Sequence, residues 1–338
     1  MDILTQIGVG LLSIVITLVA NLAANLLPRQ SSVSTQQSSQ QAPPYRRPPA
    51  ESFPNAGVQY GSVQSGALGK ELKYAVQLPP SYENDSKRRY PVLYFLHGMF
   101  GNEGEFEHRG IAATVAKLRA EGKVGDFIIV APAGENSFYL NGKNGVRYED
   151  AIVKDLIPYI EKTYRALGTR DGRAIQGISM GGWGALMLAL KYPQMFSSVT
   201  THCAALFVEL PTPTGDDRRS QFMLRLIGNI FGLPPDEEFF RSVNPFYIAV
   251  SNAAAIKKSG LAIYFDCGDR DRYGFFESNR AFDEKLTQLG IKHEFHLFPG
   301  DHGWEYMRSV ADHSYAFLWQ SFNAGSKSAQ SHSGSGHR

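Results

Sequence analysis

The stretch "AIQGISMGGWGAL", Ala174 to Leu186, joins an apolar run to a helical one through a glycine, a lone serine and two more glycines. Its first half reads as a buried strand and its second half opens an apolar helix. Ser179 therefore stands at the joint, in a G-x-S-x-G frame made with Gly177 and Gly181. The motif by itself is a weak signal; a buried strand directly before it and a helix directly after it give it weight. Where strand and helix converge on a tight turn, side chains two residues either side of the serine collide, and glycine has none. Such a turn holds the hydroxyl out at the C-terminal edge of a parallel sheet, where open α/β proteins bind their ligands. The helix begins at the same point, so its first N–H groups and its dipole face any charge that develops on a bound carbonyl oxygen.

The chain around this joint keeps the same rhythm. "KYAVQLP" alternates like a strand, "YPVLYFLHG" and "DFIIVAPA" are short apolar runs, and "VAKLRAEG" lies between the latter two as a helix. "YEDAIVKDLIPYIEKTYRAL" is amphipathic, with Ile152, Leu156, Ile157 and Ile160 on one face. Beyond the elbow come the strands "SSVTTHCA" and "LAIYFDCG", the helix "ESNRAFDEKLTQLG" and the strand "HEFHLFPG". Continuous apolar strands alternating with helices predict an α/β fold, with a mostly parallel central sheet and helices on both faces. The interval from Leu206 to Ser259 breaks the pattern and reads as an insertion. Its Phe222, Leu226, Ile230 and Phe231 suit either a lid over a site or, the alternative we favour, a helix packed on the core.

A serine hydroxyl attacks only when a base takes its proton, and in α/β proteins with this elbow an acid and then a histidine follow the serine in the chain. Of nine histidines, His302 alone sits just past the last strand in a Pro-Gly turn, in "FPGDHGWEYM". The acid belongs to the loop after the preceding strand, "CGDRDRYG", which offers Asp269 and Asp271. Two backbone N–H groups would complete an oxyanion hole: that of Met180 after the serine, and that of Met99 in the loop following "VLYFLHG". In that loop His97 and Gly98 either touch substrate or shape the turn. "NSFYLNGKNGVRYED" follows another strand to the same edge, and Phe138, Tyr139 and Trp183 are the aromatic residues that would pack on an acyl chain or on the core.

The strings "YFLHGMFGNEGEF", "GISMGGWGAL", "CGDRD" and "PGDHGWEYM" together resemble the esterase D family of α/β-hydrolases, in the same order and spacing, over about Val58 to Phe322. That family includes acetyl and feruloyl esterases, S-formylglutathione hydrolases and the antigen 85 mycolyltransferases. The resemblance implies an α/β-hydrolase fold, Ser179 as nucleophile, His302 as base, Asp271 as acid, and Met99 and Met180 as oxyanion donors. S-formylglutathione hydrolases usually carry histidine before the motif serine, where this chain has Ile178, which points away from that activity.

The remaining sequence frames this catalytic unit. Ile3 to Leu27 hold no charged residue, enough for one membrane-spanning helix. Asp2, the lack of Lys or Arg before the run and the absence of a clean cleavage site favour an anchor in residues 1–28 over a signal peptide. A cleaved signal, leaving a secreted or periplasmic protein, is the alternative; Arg29, Arg46 and Arg47 point to a cytoplasmic catalytic domain if the anchor stays. Ser13, Thr17, Asn21 and Asn25 recur along one face of the anchor and suit self-association as well as they suit a tolerated polar stripe. Residues 29–57 are Ser-, Gln- and Pro-rich and read as a disordered linker; residues 324–338 read as a disordered tail, leaving 58–323 as one catalytic domain. A net charge of +2 with scattered Lys and Arg gives no footprint for nucleic acid. The two cysteines, Cys203 and Cys267, form no zinc-ligand spacing and read as buried free thiols. These features predict a serine carboxylesterase acting on a small-molecule ester through an acyl-enzyme, with no metal or organic cofactor. Its rivals are an acyltransferase on the same scaffold and a membrane-tethered binding module that has lost its chemistry.

Overall fold

The computed structural model describes residues 53–54, 56–211 and 218–333. The segment 1–28 expected to be an anchor, most of the segment 29–57 expected to be a linker, and the side chain of Phe222 lie outside the described residues. Among the described residues no helix is long and apolar enough to cross a membrane.

Eight strands form one sheet: β1 (Val58–Ser65), β2 (Lys70–Gln77), β3 (Val92–Leu96), β4 (Ile128–Pro132), β5 (Arg173–Ile178), β6 (Ser198–His202), β7 (Ala262–Gly268) and β8 (Glu294–Phe298). Their spatial order is β1-β2-β4-β3-β5-β6-β7-β8. The β1–β2 hairpin and the β2–β4 pair are antiparallel, and every pair from β4 and β3 across to β8 is parallel. The chain therefore has the α/β-hydrolase architecture: a mostly parallel sheet with helices on both faces. β1 is the strand that sequence reading did not mark. Its residues are half exposed at the sheet edge, so its apolar signal is thin.

The run "VLYFL" in β3 shows why the parallel strands are apolar throughout. Strand residues point alternately to opposite faces. Leu93 and Phe95 enter a core with Ile111, Val115, Met307, Tyr315 and Phe322. Tyr94 and Leu96 enter the opposite core with Ile152, Ile160, Trp183 and Leu186. Both faces are covered, so neither alternate set is polar.

The amphipathic segment after β4 forms helix Tyr148–Asp150, then a π-helical stretch Ala151–Leu156, then helix Ile157–Thr163. Its predicted apolar face, Ile152, Leu156, Ile157 and Ile160, is buried. In the insertion, helix Arg218–Phe231 packs on the core: Ile227, Ile230 and Phe231 are buried, and the Phe231 ring lies 6.4 Å from that of Trp183. The last helix, Ala311–Ser333, runs past residue 323, where the sequence suggested a disordered tail. No proline interrupts residues 324–333, and a helix already docked through Tyr315, Leu318 and Phe322 gains one hydrogen bond per added residue.

Candidate active site

Ser179 lies between β5 and the helix Met180–Lys191, with φ 56° and ψ −118°, a left-handed conformation that a non-glycine residue adopts only under constraint. The constraint comes from both sides. The Ser179 N–H donates to the His202 carbonyl at 3.0 Å, and the Ser179 carbonyl accepts from the Ala205 N–H at 2.9 Å. The glycines are needed for space: a Cβ on Gly177 would stand 2.1 Å from the Gly181 carbonyl oxygen, and one on Gly181 would stand 2.1 Å from that of Leu96. The strained turn and the bare flanks together present the hydroxyl at the C-terminal edge of the sheet.

The opposite side of the site is built by two loops that follow β7 and β8 and are stitched to each other. The Asp269 N–H donates to the Phe298 carbonyl (2.9 Å) and the Arg270 N–H to the Gly300 carbonyl (2.9 Å). Asp269 Oδ1 accepts from the Gly300 N–H at 3.0 Å. Asp301 Oδ1 accepts from the Arg272 N–H at 2.8 Å, and its other oxygen holds the Arg272 guanidinium. Within this frame the His302 Nδ1–H donates to Asp271 Oδ2 at 2.7 Å, while Asp271 Oδ1 accepts from the Tyr273 N–H at 2.8 Å. Of the two candidate acids, Asp271 meets the imidazole and Asp269 caps the neighbouring loop. Arg272 and Asp301, which hold the loops in register, carried no signal in the sequence beyond lying beside the two candidate residues.

The Asp271 side chain is wholly buried and the His302 ring is 10% exposed. Burial pulls the His302 imidazolium down, but the hydrogen-bonded Asp271 carboxylate, with Cys203 nearby, outweighs it and holds the group well above the ordinary histidine range. Burial pushes Asp271 up, and the hydrogen bonds from His302 and Tyr273 more than offset it, so its carboxyl falls below the usual aspartate value. Tyr273 packs edge-on against the His302 ring at 4.7 Å, which fixes the ring plane.

Met180 is the first residue of the helix, within the turn whose N–H groups have no intrahelical acceptor. Gly98 stands beside the serine: a Cβ there would lie 3.5 Å from that of Ser179, which brings the Met99 loop to the same place. His97 differs from the substrate contact suggested for it. It is buried; its Nδ1–H donates to the Gly98 carbonyl (2.7 Å), and its Nε2 accepts from the Gly134 N–H (2.8 Å). Burial keeps the ring below the ordinary histidine range, consistent with a neutral tie between the loops after β3 and β4. Trp183 and Tyr139 are likewise core residues, with no exposed surface. Trp183 packs on Phe138, Phe207 and Phe240, and the Tyr139 hydroxyl donates to the His97 carbonyl at 3.2 Å. The elbow helix starts beneath the insertion, whose Phe231 and Phe240 rings lie 6.4 and 6.0 Å from that of Trp183 and cover it.

Residues 65–312 match the model of the family described as "Putative esterase", and the chain belongs to that family. Two esterases of Mycobacterium tuberculosis are 32% identical over 260 residues, which is 72% of this chain and 55% of theirs. The chain thus spans about half the length of these relatives. An acetyl esterase of Caldicellulosiruptor saccharolyticus is 27% identical over 68% of this chain and 83% of its own. Among solved structures, a ferulic acid esterase superposes with a TM-score of 0.66 at 30% identity, covering 78% of this chain and 98% of that one.

Proposed function

We propose that this chain is a serine carboxylesterase. One observation carries the reading: Ser179, held at φ 56° on a glycine-walled turn, shares its sheet edge with a histidine bonded at 2.7 Å to a buried aspartate. With Asp271 accepting from Nδ1–H, the Nε2 of neutral His302 is left as the acceptor for the Ser179 proton. Ser179 Oγ attacks the ester carbonyl, and the oxyanion is met by the N–H groups of Met180 and Met99. His302 then returns its proton to the leaving alcohol, and the acyl-enzyme forms. A water molecule, deprotonated by the same nitrogen, releases the acid. Asp271 stabilises the imidazolium in both halves.

The substrates this reading favours are short-chain acyl or feruloyl-type esters, in line with the acetyl esterase and ferulic acid esterase to which the chain is similar. Residues 3–27 would tether the enzyme to a membrane. Ser179→Ala tests the mechanism. The glycines, not the hydroxyl, set the turn, so the variant should fold as the parent does and lose on the order of 10⁴- to 10⁶-fold in rate on nitrophenyl esters. It should also fail to take up a fluorophosphonate probe. A folded variant with near-parental rate would sink the proposal.

A further inference from the structure

The proposed mechanism leaves one cluster of reactive side chains unused. β6 and β7 run in parallel register up to His202 opposite Asp266. The next ladder bond, from the Cys203 N–H to the Asp266 carbonyl at 2.8 Å, sets Cys203 beside Cys267. Both cysteines are free thiols with no exposed surface. Cys267 Sγ donates to Asp271 Oδ2 at 3.5 Å, and the Cys203 sulfur lies in the same cluster. Cys203 holds its direction from a left-handed backbone, φ 44°, a conformation that costs a non-glycine residue. The two sulfurs and the Asp271 oxygen lie within 4.8 Å of one another.

Three donors at that spacing are close to the ligand set of a tetrahedral thiophilic ion. Metal–sulfur bonds of about 2.3 Å and metal–oxygen bonds of about 2.1 Å put neighbouring ligands roughly 3.5–3.8 Å apart. Closing the cluster therefore takes about 1 Å of side-chain movement, with His302 or a water as a fourth ligand. The charge also balances. Binding releases two thiol protons to solvent and takes in one divalent cation, so the net charge of the buried cluster is unchanged. The Born cost that bars a lone cation from a protein core is thereby offset. Thiolates select zinc or cadmium over magnesium and calcium.

We propose that Cys203, Cys267 and Asp271 form a thiophilic divalent-cation site fused to the Asp271–His302 pair, and that filling it switches hydrolysis off. Asp271 Oδ2 is the shared atom: it accepts from both His302 Nδ1–H and Cys267 Sγ. An ion on that oxygen withdraws the negative charge that orients and stabilises the imidazolium. The binding stands on the geometry alone; the inhibition rests on the esterase reading.

Cadmium titration of the full chain, in detergent with a non-thiol reductant, separates the two. The ultraviolet cadmium–thiolate charge-transfer band should saturate at one ion per chain and be abolished in the double variant Cys203→Ser/Cys267→Ser. In parallel, ester hydrolysis should fall at least tenfold at saturation and recover when a chelator is added. If the double variant is insoluble, Cys267→Ser alone decides, and it must weaken cadmium binding at least tenfold. No band, or a band that survives loss of the cysteines, overturns the site. A full band with undiminished hydrolysis overturns its link to Asp271. The band is read without substrate, so an inactive parent protein would refute the esterase reading and leave the site to be judged by the titration.

Discussion

Replacing Asp271 by asparagine changes one oxygen for an amide nitrogen, and the structure determines which. Asp271 Oδ1 accepts from the Tyr273 N–H at 2.8 Å, so the amide keeps its carbonyl oxygen there and turns its NH2 toward His302. His302 Nδ1, which donates at 2.7 Å in the parent, must then become an acceptor. The proton moves to Nε2, the atom that the proposed mechanism needs free to receive the Ser179 proton, and the proposed base is disabled. Turning the amide over restores the tautomer but sets NH2 against the Tyr273 N–H, an unsatisfied pair costing about 1–3 kcal/mol. The carbonyl then facing His302 is neutral, which forfeits a charge-assisted hydrogen bond worth about 1.5–3 kcal/mol. Together these losses are roughly 2.5–6 kcal/mol, or about 10²- to 10⁴-fold in rate. The upper end is the loss expected for a triad histidine left in the wrong tautomer. Asp269→Asn retains an oxygen for the Gly300 N–H and should lose less than about tenfold, since one loop hydrogen bond is worth about 1 kcal/mol. The assay is kcat/KM of both purified variants on a nitrophenyl acetate and a methyl ferulate substrate. A larger loss in Asp269→Asn, or an Asp271→Asn enzyme within tenfold of the parent, would refute the assignment.

The pH dependence follows from the same pair. The proposed mechanism needs neutral His302, and Asp271 raises its pKa, so kcat/KM should climb with pH through a limb above the ordinary histidine value near 6.5. In Asp271→Asn burial is left to dominate and the limb should move to lower pH; an unmoved limb would show that another group titrates. Gly181→Ala puts a Cβ 2.1 Å from the Leu96 carbonyl oxygen and should cost at least about 2–3 kcal/mol, a fall of roughly 5–10 °C in thermal midpoint. An unchanged midpoint would contradict the packing derived for the elbow. Deleting residues 1–56 should release a soluble protein with unchanged rate on a small ester, while the full chain partitions with detergent; a detergent-independent, monomeric full chain would overturn the proposed anchor.

Strands β2 to β8, the elbow around Ser179 and the place of His302 beyond the last strand are legible along the chain, because each leaves a local mark. A strand buried on both faces is apolar at every position, as in "VLYFL", and a strained strand-to-helix turn leaves glycines at fixed offsets from Ser179. His302 was legible because it alone of the histidines follows the last strand in a Pro-Gly turn. β1 left little mark, since a half-exposed edge strand has no continuous apolar run. The choice between Asp269 and Asp271 lay beyond the local pattern. It depends on how two loops far apart in the chain are laced together by Asp301, Arg272 and Gly300, and hydrogen bonds between distant segments leave no periodicity in either. The same holds for His97, whose two ring nitrogens are taken up by Gly98 and Gly134, and for Trp183, which the inserted helix covers. The cysteines make the point most directly. No ligand spacing connects Cys203 with Cys267 along the chain, yet parallel register sets them side by side next to Asp271, because adjacency in a parallel sheet is decided by strand order and not by separation in sequence.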